Sequence, residues 1–398
     1  MKILLIGTMV PEQTRKKCFE YGERPSAAEQ AERYIMHGLE QIDYISGIDA
    51  IGSVRAKVWP AGKMISISNS AEQTRKGTIY GRGYINIPFV NFIHREKSIV
   101  KSARLWANNN KDEKNVVVIV YSMHSPFMKA VKVIKQIIPS AKTCLIVADL
   151  PLFMNMHGIV RKQLKKIDWK RIQGLMRYFD KYLLYTKYMA DYLNLKKNTW
   201  MVFEGLIDDN KIIEKPYKNK NSHNVVLYAG NLNAQYGIDT LIDAFKMIKD
   251  NCQLHIYGSG FDVDRIKNIT ENIENVEYKG QVSQEEIFTI MKESTLLVNP
   301  RPSDIGLAKF SCPSKTFEYM ASGTPVLMNK LPGLPEEYYP FIGFFEKETP
   351  EGYAEKIKEY LSKNEDDLNK IGMRAADFLK KEKTSLRVME RVMKFVCS

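Results

Sequence analysis

The residues between 299 and 325 combine side chains that suit the binding of an anion. Residues 299–303 read NPRPS and residues 312–325 read CPSKTFEYMASGTP. Pro313 suits a helix start and Ser314 can cap it, which leaves backbone N–H groups and the positive end of the helix dipole pointing outward. A helix start of this kind binds phosphates. Lys315 adds a full positive charge at the same place.

Two more charged residues extend this pattern. Arg301 follows the strand that precedes the helix, and Glu318 lies one helical turn beyond Lys315. A carboxylate there can accept hydrogen bonds from hydroxyl groups beside a bound phosphate. A diphosphate next to vicinal hydroxyls describes a nucleotide sugar. The alternative is a capped helix with a surface lysine and a solvated glutamate.

Residues 225–327 alternate between strands and helices. Strands are predicted at 225–229, 253–257, 275–278 and 295–298, and a last strand begins at 325. Helices are predicted after residue 237, after a capping box at 283–286, and at 314–321. This alternation predicts an α/β fold with a parallel, doubly wound sheet, which binds ligands at the carboxyl ends of its strands.

The first half of the chain alternates less regularly. Strands are predicted at 2–6, 116–121, 143–147 and 181–185, and helices at 26–39, 127–138 and 159–178. The polar, lysine-rich stretch 208–224 is the predicted linker. The predicted domains are therefore residues 1–207 and 225–383, and the last helix, at 384–398, can pack back on the first domain.

The composition limits the class of protein. The 398 residues suffice for two domains, and the hydrophobic content of 44% lets each bury a core. The five cysteines are scattered, which argues against a disulfide framework or a zinc cluster and for a reducing compartment. No apolar run approaches the roughly 20 residues that span a bilayer. We expect a cytoplasmic protein, at most peripheral at the inner membrane face.

The net charge of +13 suits anionic partners such as phosphates or an acidic membrane face. Nucleic acid is not expected as a partner, because the sequence has no zinc-finger spacing, RNP-like aromatic motif or basic repeat. A lysine-rich, well-solvated surface is the alternative explanation of the charge.

The tract PSKTFEYMASGTPVL resembles the donor-site signature of glycosyltransferase family 4, whose members are retaining enzymes of the GT-B fold. The resemblance extends in the same order through VVLYAGNLNAQYGIDTLIDAF, LHIYGSG and VEYKGQVSQEEI. It implies two facing Rossmann-like domains with a cleft between them. It also implies that the C-terminal domain holds a nucleotide-sugar donor and that transfer needs no metal.

The second half of the chain departs from the family pattern at three positions. The family commonly has an arginine and a lysine after the first strand of this domain, where the chain has Asn231 and Tyr236. Of two family glutamates, the one that faces the sugar falls on Phe310, whereas Glu318 matches the one that binds ribose hydroxyls. Arg301 and Lys315 are the natural substitutes for the missing cations. The predicted donor site comprises Gly230, Asn231, Tyr236, Arg301, Ser314, Lys315 and Glu318.

Two residues of the first half resemble the family's catalytic region. His124, in His-Ser-Pro, matches a family histidine at the end of the fourth strand, and Asp149 falls where a second family histidine lies near the transferred sugar. Asp149 could orient a sugar or acceptor hydroxyl or accept a proton. The alternatives are an aspartate that caps a turn and a structural turn histidine. The predicted catalytic residues are Asp149, His124, Lys315 and Arg301.

Asp262-Val263-Asp264 resembles the Asp-x-Asp metal motif of many transferases, but we assign it no metal. It opens a helix, where acidic residues complement the dipole. Gly258-Ser259-Gly260 lacks the GxGxxG spacing of a dinucleotide site. We therefore expect neither a metal nor a cofactor.

The segment 161–177 (RKQLKKIDWKRIQGLMR) is basic, with apolar residues interspersed. Arg161, Lys165, Lys166 and Trp169 would suit an anionic membrane surface or a lipid-linked acceptor. The alternative is a helix that packs on the core with a solvated basic face.

The resemblance implies transfer of a sugar, with UDP-hexose favoured as donor, to a carbohydrate hydroxyl of a lipid-linked glycan in surface polysaccharide assembly. The leaving nucleoside diphosphate would be stabilised by the cations and would itself take the acceptor proton. The missing family residues leave two alternatives. One is a non-catalytic scaffold that partners another transferase, and the other is a sugar-nucleotide epimerase.

Overall fold

The computed structural model describes the chain except for residues 24–25, 154–158, 217–223, 249–250, 305, 307 and 313 and the side chains of 153, 159–162 and 314. It divides into two compact units. The first consists of residues 1–206 together with 385–398, and the second of residues 207–384. The predicted linker, 208–224, falls within the second unit.

The strands alternate with helices along both units. The strands are β1 (Lys2–Gly7), β2 (Gly47–Gly52), β3 (Ser66–Ile67), β4 (Ser70–Gln73), β5 (Thr78–Gly81), β6 (Tyr84–Ile85), β7 (Val116–Tyr121), β8 (Lys142–Val147), β9 (Lys181–Leu184), β10 (Trp200–Val202), β11 (Asn224–Asn231), β12 (Cys252–Ser259), β13 (Val276–Gly280), β14 (Leu296–Asn299), β15 (Val326–Met328) and β16 (Gly343–Phe344). The helices are α1 (Glu12–Glu20), α2 (Ala27–Glu40), α3 (Val90–Asn109), α4 (Ser125–Ile137), α5 (Ile159–Met176), α6 (Tyr188–Tyr192), α7 (Ile238–Phe245), α8 (Val263–Thr270), α9 (Gln284–Glu293), α10 (Ser314–Ala321), α11 (Pro350–Leu361), α12 (Glu365–Glu382) and α13 (Ser385–Cys397).

The first unit is built on a sheet of order β10-β9-β8-β7-β1-β2-β5-β4. Neighbouring strands are parallel except for β4, which pairs antiparallel with β5 at the edge. The central strands β1 and β7 are almost entirely buried, as expected of parallel strands covered by helices on both faces. β3 and β6 form a separate antiparallel pair.

A buried glutamate fixes the loop after β1. Glu32, on α2, accepts hydrogen bonds from the backbone N–H groups of Thr8 and Met9 at 2.8 Å and from the Thr8 hydroxyl at 2.7 Å. Burial raises the pKa of Glu32 to about 7, against the lowering effect of these hydrogen bonds. A side chain at position 7 would meet the carboxylate at 2.4 Å, so Gly7 makes this approach possible.

Helix α13 completes the core of the first unit. Its buried face, with Val388, Met389 and Val392, belongs to one hydrophobic cluster with Ile3 and Leu5 of β1. It packs on α2 at Gly38, where an added Cβ would lie 2.4 Å from the carbonyl oxygen of Ser385. The end of the sequence thus folds with the beginning.

The second unit is built on a parallel sheet of order β13-β12-β11-β14-β15-β16. Both faces carry buried apolar clusters. One includes Leu241 and Phe245 of α7, and the other includes Phe317 and Met320 of α10. The spacing of the apolar residues in α7 explains both its helical form and its buried face.

The elements predicted from the sequence occur within one to three residues of their predicted bounds. The prediction that the strand at 325 is the last is wrong, because β16 follows it and pairs in parallel with β15. The prediction also missed several elements, among them β2, α1, α3, α11 and α12. In the part of the chain that the structure describes, no helix combines the length and hydropathy needed to cross a membrane.

Candidate functional site

A pocket of about 240 Å³ lies in the second unit, at the carboxyl ends of β11 and β14 and beside the first turn of α10. It is therefore at the edge where parallel sheets bind their ligands. Five of the predicted donor-site residues line it. The lining residues are Tyr228, Ala229, Gly230, Asn231, Tyr236, Asn299, Arg301, Ser311, Cys312, Lys315 and Tyr319.

Arg301 is the central cation of this pocket. Its guanidinium carbon lies 5.4 Å from the ring centre of Tyr236, and its Nη1 donates to the hydroxyl of Ser311 at 3.1 Å. Its Nε is buried and has no hydrogen-bond partner among the described residues. A buried N–H donor without an acceptor is unfavourable, and an anionic oxygen in the pocket would relieve that cost.

The backbone that carries Arg301 is held by Asn329, which the sequence analysis missed. The Nδ2 of this buried side chain donates to the carbonyl oxygens of Pro300 at 3.2 Å and Arg301 at 3.1 Å, and it lies 2.6 Å from the Tyr353 hydroxyl. The Tyr353 hydroxyl also donates to the Pro300 carbonyl at 3.2 Å. Asn329 follows β15 directly. Its position at the carboxyl edge of the sheet was the only feature of the sequence that could have identified it.

Two glycines allow the pocket's chain segments to approach each other. Gly237 has φ 76°, and an added Cβ would lie 2.0 Å from the carbonyl oxygen of Pro300. Gly258 has φ 143°, and an added Cβ would lie 1.9 Å from the carbonyl oxygen of Gly230. Both backbone conformations favour glycine, and both contacts are with backbone, so neither position accommodates a side chain.

Two buried tyrosines hold the strand end that forms one wall. The Tyr319 hydroxyl accepts from the N–H of Ala229 at 2.8 Å and lies 3.1 Å from its carbonyl oxygen. The Tyr228 hydroxyl donates to the carbonyl of Asn231 at 2.8 Å. Burial raises the pKa of both phenols, so both stay neutral. The sequence analysis did not identify Tyr228 and Tyr319 either, because tyrosines within an apolar pattern are typical of the hydrophobic core.

Lys315 and Glu318 contact each other. Lys315 Nζ lies 3.1 Å from Glu318 Oε2, and both side chains are partly exposed. Lys315 lines the pocket, whereas Glu318 touches it through this ion pair. The helix start at Ser314 is as predicted. Pro313 and the side chain of Ser314 lie outside the described residues, so the predicted cap stays a prediction.

His124 and Asp149 belong to the first unit, where each follows the carboxyl end of a parallel strand. His124 makes no side-chain cap for α4; its Nε2 lies 2.5 Å from Nη2 of Arg95. Burial, followed by the charges of Arg95, Arg55 and Arg171, holds the pKa of His124 well below its ordinary value. Its imidazole is therefore neutral.

Asp149 is exposed and lies two residues after the end of β8. Desolvation raises its pKa, and the nearby positive charge of Arg55 opposes that shift. His124 and Asp149 follow the same edge of the sheet, because β7 and β8 are neighbouring parallel strands. Their roles in catalysis stay predictions.

The residues predicted for a membrane surface on helix α5 differ in their exposure. Trp169 is half-buried, with its ring centre 6.2 Å from that of Tyr192, and Lys165 donates to the carbonyl of Leu152 at 3.3 Å. Lys166 is exposed, whereas the side chain of Arg161 lies outside the described residues. Among the described side chains of α5, the most exposed apolar ones are Ile167 and Leu164.

Asp262 has a structural contact: its Oδ2 accepts from the backbone N–H of Ala234 at 2.7 Å. It thereby ties the start of α8 to the loop that carries Tyr236. Within the described ranges, no group of three or more His, Cys, Asp or Glu side chains is arranged to hold a metal ion.

The chain is similar to known glycosyltransferases. Residues 209–377 match the family model "Glycosyl transferases group 1". An uncharacterized glycosyltransferase of Methanocaldococcus jannaschii is 30% identical over 248 residues, which cover 58% of this chain and 64% of that protein. The chain thus spans less than two thirds of the length of this relative.

Solved structures share the fold at low sequence identity. The lipopolysaccharide outer core galactosyltransferase WaaB superposes with a TM-score of 0.63 at 14% identity, over 100% of this chain and 99% of that one. HepE of Anabaena, solved in complex with UDP, superposes with a TM-score of 0.63 at 13% identity, over the whole of both chains. The predicted GT-B fold is confirmed, and within it residues 209–377 match the glycosyl transferases group 1 model.

Proposed function

We propose that this protein is a glycosyltransferase that binds the diphosphate of a nucleotide-sugar donor in the pocket between Arg301 and Lys315. The observation that carries the proposal is the charge of that pocket. Two cations line it, and none of its described lining residues is a carboxylate. A cavity of this charge selects an anionic ligand, and a diphosphate can interact with both cations.

The same arrangement supports catalysis. When the bond between the sugar and the donor phosphate breaks, negative charge grows on the leaving diphosphate. Arg301, Lys315 and the start of α10 would stabilise that charge, which is where electrostatic catalysis acts most strongly. Because these groups supply positive charge, metal-independent transfer is part of the proposal. Glu318 would then bind the ribose hydroxyls, with Lys315 orienting it.

UDP is the proposed nucleotide and a hexose the proposed sugar. HepE has been solved with UDP and also with UDP-glucose, and its fold covers the whole of this chain. Retention at the anomeric carbon follows from the resemblance to family 4. In that mechanism the departing phosphate takes the acceptor proton, so His124 and Asp149 would orient the sugar or the acceptor hydroxyl.

The proposed acceptor is a carbohydrate hydroxyl of a lipid-linked glycan at an anionic membrane surface. The support lies on α3 and α5, where Arg171 contacts Glu96. An exposed apolar residue lies one turn before this contact on each helix. Ile93 on α3 is 57% exposed and Ile167 on α5 is 65% exposed. Apolar side chains beside lysines suit the interface of an anionic bilayer.

The Lys315→Ala variant tests the donor site. We expect its affinity for UDP to fall about tenfold, because it loses one charge-assisted contact with the diphosphate. Calorimetric titration of the whole chain with UDP, with EDTA present, measures this. The matched control is Lys267→Ala on α8, an exposed lysine outside the pocket, which should bind UDP like the wild type.

The outcomes separate the alternatives. No UDP or GDP binding by the wild-type chain would indicate the scaffold. UDP-sugar conversion without any acceptor, with a changed sugar as product, would indicate the epimerase. UDP binding that is equal in Lys315→Ala and wild type contradicts the proposed diphosphate contact.

The Ile167→Asp variant tests the membrane surface. We expect the wild type to sediment with vesicles that contain anionic lipid and much less with vesicles of neutral phosphatidylcholine. Ile167→Asp should lose most of this binding, because a charge replaces an apolar contact. Phe261→Asp is the control, since Phe261 is 94% exposed but lies in the second unit. Equal sedimentation of both variants argues against this surface.

A further inference from the structure

The carboxyl edge of the first unit's sheet carries an excess of positive charge that the proposed function does not use. Arg55 follows β2, Arg82 follows β5 and His124 follows β7, and these strands belong to one parallel sheet. Arg95 reaches the same edge from α3, where its guanidinium contacts His124. In addition to the larger effect of burial, Arg95 and Arg55 lie close enough to His124 for their charges to lower its pKa.

Arg95 and His124 leave two buried N–H donors without acceptors. Arginine has no acceptor atom, so Arg95 must donate to His124 Nε2, and the neutral imidazole then carries its proton on Nδ1. This Nδ1 and the Nε of Arg95 are both buried, and neither has a hydrogen-bond partner among the described residues. Each unsatisfied donor is unfavourable in the protein alone.

The neighbouring charges do not neutralise Arg95. Arg171 and Lys129 share the carboxylate of Glu96. Arg95 itself stacks over the ring of Tyr84, with its guanidinium carbon 5.6 Å from the ring centre. Among the described residues Asp149 is close enough to interact with the charge of Arg55, whereas no carboxylate contributes to the pKa of Arg95. A half-buried guanidinium without a counter-charge calls for an anion from outside.

We propose that Arg95, Arg55 and the Nδ1–H of His124 bind an oxyanion, a phosphate or a carboxylate, that is carried by the acceptor. This inference rests on the proposed function, since it names a chemical class for the acceptor. Arg95 offers a planar fork that matches two oxygens of such a group, and His124 supplies a neutral donor. The acceptor is then an anionic glycan or glycolipid, and a neutral sugar alone binds poorly.

His124 itself provides the readout. In the whole chain with selectively labelled histidines, its NMR signal is identified among the six by its loss in His124→Gln. We expect that signal to move, with saturation, when inorganic phosphate replaces chloride at constant ionic strength. Titration with glucuronate tests a carboxylate, and titration with glucose is the neutral control. The anion that binds with the higher affinity, phosphate or glucuronate, identifies the class of oxyanion that the site binds. If the His124 signal responds to neither anion, the proposal is wrong.

The variants locate the site. Arg95→Gln should weaken the oxyanion affinity about tenfold or more, because it removes a charge-assisted contact. Arg104→Gln, on the exposed side of the same helix, should leave it unchanged. If Arg95→Gln does not fold, as judged by circular dichroism, Arg55→Gln on a surface loop decides in its place. An unchanged affinity in the folded variant overturns the proposal.

UDP binding, measured on the same samples, keeps the two proposals apart. A chain that shows the His124 response but does not bind UDP contradicts the proposed donor function and leaves the oxyanion site standing. A chain that binds UDP but shows no response at His124 contradicts only the oxyanion site.

Discussion

Replacement of Arg301 by glutamine is expected to weaken UDP binding about 10- to 100-fold and to lower turnover of the donor still further. The side chain lines the pocket, and its buried Nε lacks a partner among the described residues. A charge-assisted hydrogen bond to a phosphate oxygen contributes about 1.5–3 kcal/mol. Charge also grows on the diphosphate in the transition state, so the loss in kcat/KM is expected to exceed the loss in affinity, at about 10²- to 10³-fold.

Two comparisons make this result specific. Arg301→Lys keeps the charge but loses the planar stacking on Tyr236, so an intermediate affinity is expected. Arg374→Gln, an exposed arginine of α12, should behave like the wild type. Calorimetry with UDP gives the affinity, and release of UDP from a panel of UDP-hexoses gives the turnover. A wild-type affinity in Arg301→Gln would remove the central contact of the proposed site.

Replacement of Gly258 by alanine is expected to reduce the unfolding free energy of the second unit by about 3–5 kcal/mol. The backbone conformation at Gly258, with φ 143°, is strained for alanine, and the new Cβ would lie 1.9 Å from the carbonyl oxygen of Gly230. Neither β11 nor β12 can move freely, because these residues pair in register within the sheet. The displaced Gly230 lines the pocket, so UDP affinity should fall as well.

Gly174→Ala is the matched control for this prediction. Gly174 lies on α5 and an added Cβ there would meet no atom within 4 Å, so the exchange should be neutral or slightly stabilising. Thermal unfolding followed by circular dichroism, with and without UDP, measures both variants. For a unit of this size the expected loss corresponds to a fall in the unfolding temperature of about 10 °C. An unchanged unfolding temperature in Gly258→Ala would contradict the close approach of the two strands.

The sequence predicted best what depends on local pattern. The apolar spacing of Ile238, Leu241, Ile242 and Phe245 determined α7, and the capping serine at 283 located α9. The candidate residues Arg301 and Lys315 were identified because each lies at a recognisable local feature, a strand end and a helix start. The structure places both in the lining of one pocket, and their role in donor binding stays a prediction.

What the sequence did not show depends on contacts between distant residues. β2 has glycine at both ends, which weakens its strand pattern, yet Gly52 is needed because a Cβ there would meet the carbonyl of Met9 at 1.5 Å. Asn329 supports Arg301 only through the folded backbone. Arg95 was not identified because α3, the helix that carries it, has a weak amphipathic pattern. Its contact with His124 depends on the tertiary structure.

The order of the chain has a consequence for biosynthesis. The second unit is an insertion between residues 206 and 385 of the first, so a ribosome has supplied all of the inserted unit before it supplies the residues of α13. Until then the apolar surface of α2 and β1 that α13 covers stays open to other proteins. A premature stop codon near residue 385 would therefore harm the first unit, although the codon lies after the last residue of the second unit.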